Sequence, residues 1–174
     1  IYSIHRSSRG AMPLDAPPRG TQILTAEEHR PQAGLVSQAA QMCRRMLPTL
    51  FSAGQVTLLV DAGRTTVLGF LAYQHWQSPV CLKVSHLAVL EEHQRKGFGR
   101  ALLQWAIRYA ESAKLPSIML DGLRSAVPFY RSLGFYKLVP EMEEWMGEGY
   151  NYWPMQLDLD AGRAERQPAR PLWQ

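Results

Sequence analysis

The chain has 174 residues, 46% of them hydrophobic and 20% charged, and a formal net charge of +4. That describes one domain of ordinary size with enough apolar residues for a proper core. No apolar run comes near the ~20 residues of a membrane-spanning helix, which argues against a membrane partner. Cys43 and Cys81 stand far apart without a Cys/His cluster, so they offer no metal site and fit reduced, buried thiols in a cytoplasmic protein.

Residues 1–20 are rich in Ser, Arg, Pro and Gly without a period and read as a flexible arm. The sequence opens on Ile1 rather than Met, which points to residues removed upstream and leaves targeting open. Thr21–Ala26 is a short strand candidate, and Thr25 followed by Glu28 has the spacing of a capping box. Ser37–Leu47 carries Ala39, Met42, Cys43 and Met46 at helical spacing, with Ser37 placed as its cap and Pro48 close to its end. Gln55–Gly63 and Thr65–Gln74 are apolar, β-branched runs joined by Ala62-Gly63-Arg64, a hairpin.

Pro79 introduces Val80–Leu90, almost continuously apolar and so central in its sheet. Gly99–Ala113 repeats apolar residues at spacings of three and four and stops before Pro116. Ser117–Asp121 is a buried strand, and Arg124–Leu133 is a short helix closed by Gly134. Phe135–Val139 and Tyr152–Leu159 are two last strands, and residues 160–174 read as a tail. The order predicts one α/β domain over residues 21–159 with a mixed sheet.

Between the central strand and the long helix stands Gln94-Arg95-Lys96-Gly97-Phe98-Gly99-Arg100. The first amides of a helix lack internal partners and sit at the positive end of its dipole. Glycines let a phosphate approach them, and Arg95, Lys96 and Arg100 add full charges. A Walker A loop needs its lysine after the glycines, and a dinucleotide loop needs a third glycine where Leu102 stands. What remains is [Q/R]-x-x-G-x-[G/A]. A second motif, A-x-x-[FL]-Y-x-x-x-G-F, runs from Ala126 to Phe135.

On these two motifs, in this order, the chain resembles the GCN5-related N-acetyltransferases (GNAT) over residues 21–159. The resemblance implies the acyl-CoA N-acyltransferase fold, a mostly antiparallel sheet flanked by helices, and transfer of acetyl from acetyl-CoA to a primary amine of a small molecule or a protein. It implies that the loop residues Gln94 to Arg100 bind the pyrophosphate and that free amides along Leu87, Ala88 and Val89 face the cofactor. It also implies that Tyr130 is the general acid for the leaving thiolate, against the alternative of a purely structural tyrosine.

Two positions depart from the family pattern. Where some members carry a glutamate early on the central strand, this chain has Lys83; where many carry an asparagine before the tyrosine, it has Arg124. By the two-residue period, Ser85 and Leu87 share the face of Lys83 and His86 points to the other, as a satisfied sheet residue. Glu91, Glu92, Asp121, Glu143 and Glu144 are further carboxylates, Asp121 equally placed to cap the next helix, and the base stays unassigned. No cysteine but Cys81 lies near the centre in sequence, so direct transfer is expected rather than an acetyl-enzyme.

Glu141–Trp153 combines four acids with Trp145, Tyr150, Tyr152 and Trp153. This suits a cationic or aromatic amine, or is a loop folded onto the sheet. A catalytically weak CoA-binding module is the alternative function. Nucleic-acid binding through Arg6, Arg9, Arg19, Arg163, Arg166 and Arg170 lacks interleaved aromatics and is set aside. Two sheet edges offer a route to a homodimer.

Overall fold

The computed structural model describes residues 17–25, 28, 33–42, 55–139 and 151–159. Strands β1 (Thr21–Leu24), β2 (Gln55–Asp61), β3 (Val67–Gln77), β4 (Val80–Val89), β5 (Ser117–Leu123), β6 (Tyr136–Lys137) and β7 (Tyr152–Asp158) form one sheet in the order β1-β2-β3-β4-β5-β7-β6. Every neighbouring pair is antiparallel except β4–β5, so the expected mixed, mostly antiparallel sheet is present and β4 is central. The arm over residues 1–16, the tail over 160–174 and the acidic segment over 140–150 lie outside the described residues.

Helices α1 (Ala33–Met42), α2 (Phe98–Ser112) and α3 (Val127–Arg131) accompany the sheet. Phe98, Leu102, Leu103, Ala106 and Ala110 of α2 pack on Leu59, Leu71, Leu82, Val84, Ile118, Leu120 and Met155. Leu35 and Ala39 of α1 join Leu24, Val56, Leu58, Val60, Phe70 and Ala72 in a second cluster. Each cluster removes several large apolar side chains from water, about 1.5–3 kcal/mol apiece on the transfer scale.

The helix predicted to start at Ser37 begins at Ala33, so Ser37 is an exposed residue inside α1 rather than its cap. Leu35, one turn before Ala39, is the reason: the packed face starts there. Residues 43–47, the predicted far end, are outside the described residues. Gln38 ties α1 to β3, accepting from the Val67 N–H at 2.9 Å and donating to the Thr65 carbonyl at 2.9 Å. The capping-box contact is present, with Glu28 accepting from the Thr25 N–H at 2.8 Å.

In the β2–β3 turn the left-handed residue is Arg64, at φ 55°. Asp61 holds that turn, accepting from the N–H groups of Thr65 and Thr66 at 2.8 and 2.7 Å. Pro79 does open the next strand, after a cis Ser78–Pro79 bond. The predicted helix over Arg124–Leu133 divides into a 3₁₀ turn, Arg124–Ala126, and α3, with Pro128 in the first turn of α3. Gly134 closes it at φ 93° as predicted.

Candidate active site

Two departures from regular pairing shape the middle of the sheet. The first is the short seam between β4 and β5. They pair only at Leu82–Val84 with Ile118–Leu120, although β4 runs on to Val89 and β5 to Leu123. Beyond Val84 the two parallel strands are no longer paired, which leaves an opening. On the β3 side, the Leu90 N–H donates to the Leu68 carbonyl at 3.0 Å. By antiparallel alternation, Ala88 and His86 turn their N–H groups to β3, and Leu87 and Val89 turn theirs toward the opening. Of the three expected backbone positions, two face it and Ala88 does not.

The second departure is a bulge. Opposite the consecutive residues Ala72 and Tyr73 stand His86 and Val84, so Ser85 is an extra residue, its Oγ donating to the Ala72 carbonyl at 3.2 Å. A bulge shifts the side-chain alternation by one. Leu82 and Val84 before it, and Leu87 and Val89 after it, therefore all lie on the α2 side. Lys83, His86 and Ala88 lie on the α1 side, where Ala88 packs on the cluster that holds Ala72. The predicted face assignment is thus corrected: His86 shares the face of Lys83, and Leu87 does not. Nor is His86 a satisfied sheet residue. Its Nδ1 is buried without a partner among the described residues, and burial holds its pKa below the usual histidine value.

Past β4, a 3₁₀ turn (Glu91–His93) leads into the glycine loop. Gln94 folds its side chain back to donate to the Val89 carbonyl at 3.2 Å. Arg95 and Gly97 both take left-handed backbone, at φ 60° and 86°, and Gly97 is the N-cap of α2 without any side-chain cap bond. Lys96 is exposed beside them. A Cβ on Gly97 would meet nothing within 4 Å, and one on Gly99 would only reach ordinary contact with Phe129 at 3.5 Å. The start of α2 thus carries unclaimed amides at a positive dipole end. Phe98 offers only its backbone, because its ring is buried and stacks on His93 at 5.5 Å. Arg100 is tied to Ser132 Oγ at 2.9 Å, which fastens α2 to the end of α3.

Tyr130 projects from α3, half-buried between Phe129 and Phe135 at ring distances of 5.2 and 6.1 Å. Gly122 of β5 makes room for it: a Cβ there would sit 2.8 Å from Tyr130 Cε2. Burial raises the pKa of the phenol, and its hydroxyl makes no hydrogen bond among the described residues. Arg124 is exposed in the 3₁₀ turn and binds the Asn151 carbonyl through its N–H at 2.8 Å.

Asp121 caps no helix; it lies within β5 and pairs with Lys83 at 2.7 Å. The Lys83 side chain is 14% exposed and that of Asp121 54%. The ammonium also stands 5.4 Å from the Trp76 ring centroid. Cys81 is fully buried on the same strand, and burial raises its thiol pKa, with Lys83 opposing. Trp153, expected both in the last strand and in the aromatic segment before it, is a core residue of β7 with Lys137 3.8 Å above its ring, as in the alternative of aromatics folded onto the sheet. Tyr152 is exposed; Glu143, Glu144, Trp145 and Tyr150 lie outside the described residues.

The profile of the Acetyltransferase (GNAT) family matches residues 24–135. The chain belongs to the GNAT family. A curated relative, N-acetyltransferase family 8 member 3 of Rattus norvegicus, is 29% identical over 96 residues, which is 51% of this chain and 42% of that protein. The match therefore spans less than half of the relative's length. Among solved GNAT-fold structures, Tetrahymena GCN5 covers 79% of the chain, with 94% of its own length matched, at TM-score 0.57 and 17% identity. The ribosomal-protein-S18-alanine N-acetyltransferase of Escherichia coli covers 79%, with 93% of its length matched, at TM-score 0.60 and 20% identity. N-acetylglutamate synthase of Neisseria gonorrhoeae, solved with coenzyme A and L-arginine, covers 80%, with 33% of its length matched, at TM-score 0.61 and 19% identity. At these identities the structures speak for the fold. The acyl-CoA N-acyltransferase architecture is the one observed, and acetyl transfer to nitrogen is the general reaction of the family. No helix among the described residues is long and apolar enough to cross a membrane.

Proposed function

We propose that this GNAT protein transfers the acetyl group of acetyl-CoA directly to a primary amine while both substrates are bound. The observation that carries this reading is the opening beyond Val84, toward which Leu87 and Val89 turn their N–H groups, with the left-handed loop and the start of α2 following it. The loop suits a pyrophosphate because its helix amides are unclaimed by any side chain and the space beside Gly97 is clear. Gln94 shapes the loop; Arg95 and Lys96 supply charge; Gly97, Phe98, Gly99 and Arg100 supply backbone at the helix start.

Bound acetyl-CoA supplies an acetyl group activated as a thioester. The protein's own groups then have three tasks. The Leu87 and Val89 amides donate to the carbonyl oxygen as it gains charge. The Tyr130 phenol, protonated at neutral pH and with its pKa raised further by burial, gives a proton to the departing sulfur. The exposed Asp121 and Tyr152, on the α1 side of the sheet, draw a cationic or aromatic amine. Cys81 is buried and its thiol held protonated, which favours direct transfer over an acetyl-enzyme and accords with a reducing, cytoplasmic setting.

A second reading, a CoA-binding module with little turnover, has one observation in its favour: Lys83 stands where some relatives carry a glutamate, and its charge is engaged by Asp121. Two measurements decide. Acetyl-CoA at about a hundred times its Kd should stabilise the chain by about 2.7 kcal/mol in thermal unfolding, and Gly99→Glu should abolish the shift. Turnover of a panel of amines that falls in Tyr130→Phe supports the enzyme. A thermal shift without turnover of any amine supports the module, and no shift in either protein refutes both.

A further inference from the structure

We infer that His86 is the group that takes the proton from the acceptor amine, through its ring nitrogen Nε2. The inference rests on the acetyl-transfer reading above and supplies the base that the sequence left unassigned. Four observations place His86 there. It is the second residue past Val84, where pairing with β5 ends, so it lies on the rim of the opening. It immediately precedes Leu87, whose N–H faces that opening. The bulge at Ser85 turns its side chain to the α1 side, whereas the phosphate loop begins α2, on the other. Finally, its Nδ1 is buried without a hydrogen-bond partner among the described residues.

The last point separates His86 from a structural histidine. A histidine that serves a sheet is expected to spend its ring nitrogens on neighbours, because an unmet buried polar atom is costly. An unmet polar atom in a fold calls for an explanation, and a catalytic role is one. With the phosphate loop on the α2 side, the amine's route to the opening is the α1 side, the side His86 faces. Among the described residues, charged groups on that face near the opening are few. β4 carries Lys83 and β5 carries Asp121, joined to each other at 2.7 Å; β7 carries Tyr152; β3 presents Ala72, Gln74 and Trp76; and residues 33–42 of α1 hold no titratable side chain. Among the described residues no carboxylate is paired with the ring, and burial disfavours its charged form, so it faces the amine as a neutral imidazole.

The step balances as follows. The nitrogen lone pair forms the C–N bond, the carbonyl π pair moves to oxygen, and the N–H proton passes to the bare imidazole nitrogen. When the carbonyl re-forms, the C–S bond breaks, its electron pair leaves on sulfur, and the sulfur takes the Tyr130 proton. Imidazolium and phenolate return to their resting forms by exchange with water.

The test uses the whole chain, acetyl-CoA and four probe amines: spermidine, tryptamine, Nα-acetyllysine amide and an alanyl peptide. Rates are followed from below the ordinary histidine pKa to above that of lysine. His86→Gln should keep the thermal shift with acetyl-CoA, lose about 10²–10⁴-fold in kcat, and lose the acid limb of the kcat profile. In the unsubstituted protein, imidazole ¹⁵N NMR of the sequentially assigned His86 should show titration below the free value of about 6.5, coincident with that limb. A folded His86→Gln with kcat and limb unchanged, or a ring titrating away from the limb, overturns the assignment and leaves acetyl transfer standing. If His86→Gln does not fold, the coincidence of ring titration and limb decides alone. Failure of the unsubstituted protein to turn over any probe overturns the acetyl-transfer reading, and the role of His86 with it.

Discussion

Replacing Gly122 with alanine puts a methyl group where the ring of Tyr130 now lies. The added Cβ would stand 2.8 and 2.9 Å from Tyr130 Cε2 and Cδ2 and 3.2 Å from Met155 Sδ. An ordinary contact begins at 3.4 Å, so the ring must retreat by about 0.6 Å. It has little room, since Phe129 and Phe135 hold it from the other sides and Met155 is fully buried. Overpacking of this kind costs about 1–3 kcal/mol of stability. A displacement of about 1 Å in a catalytic group can cost about 10²-fold in rate, so a loss of roughly tenfold or more in kcat is expected. The assay pairs chemical denaturation with kcat at saturating acetyl-CoA, and includes Tyr130→Phe and the double variant. If the phenol's position is what Gly122 protects, Gly122→Ala should cost little further once the hydroxyl is gone. A folded Gly122→Ala with undiminished kcat would refute the argument that Tyr130 works from this position.

Gly97→Ala meets no neighbour, yet its φ of 86° is left-handed. The substitution should cost about 1–2 kcal/mol by denaturation and weaken acetyl-CoA binding by calorimetry, while Gly99→Ala stays close to the parent in both. Asp61 answers a different question, because the Thr66 and Thr65 N–H groups lower its folded pKa. Its contribution to stability is full above the unfolded carboxylate value of about 3.9 and fades as pH falls through the lower folded value. Thermal unfolding across the acid range should show that slope, and Asp61→Asn should flatten it.

What the sequence disclosed and what it withheld divide along physical lines. Local signals carried far. Runs of β-branched residues mark the strands, Gly134 closes α3, and the glycine loop marks the start of α2. Strand-to-strand geometry was another matter. The face on which His86 lies depends on one extra residue, Ser85, opposite β3, and nothing in Val80–Leu90 taken alone breaks the period of two. The Lys83–Asp121 pair joins residues from two strands that lie side by side only once the sheet is formed. Trp153 stands in both the last predicted strand and the acidic aromatic segment, and only the formed sheet shows that its ring turns into the core. Two further features lie in the sequence itself. A glycine inside the apolar strand Ser117–Leu123 points to a close approach by another group, here the Tyr130 ring. Leu35, one turn ahead of Ala39, pointed to an earlier start for α1.

The three-residue seam between β4 and β5 has a consequence for the molecule as a whole. On one side of it, β4 is zipped to β3 over nine pairs; on the other, β5 is zipped to β7 over seven. The sheet is therefore two ribbons stitched at one end, with α2 packed beneath the stitch. Whatever fills the gap between the free ends becomes part of the architecture while it stays, joining halves that the backbone leaves apart.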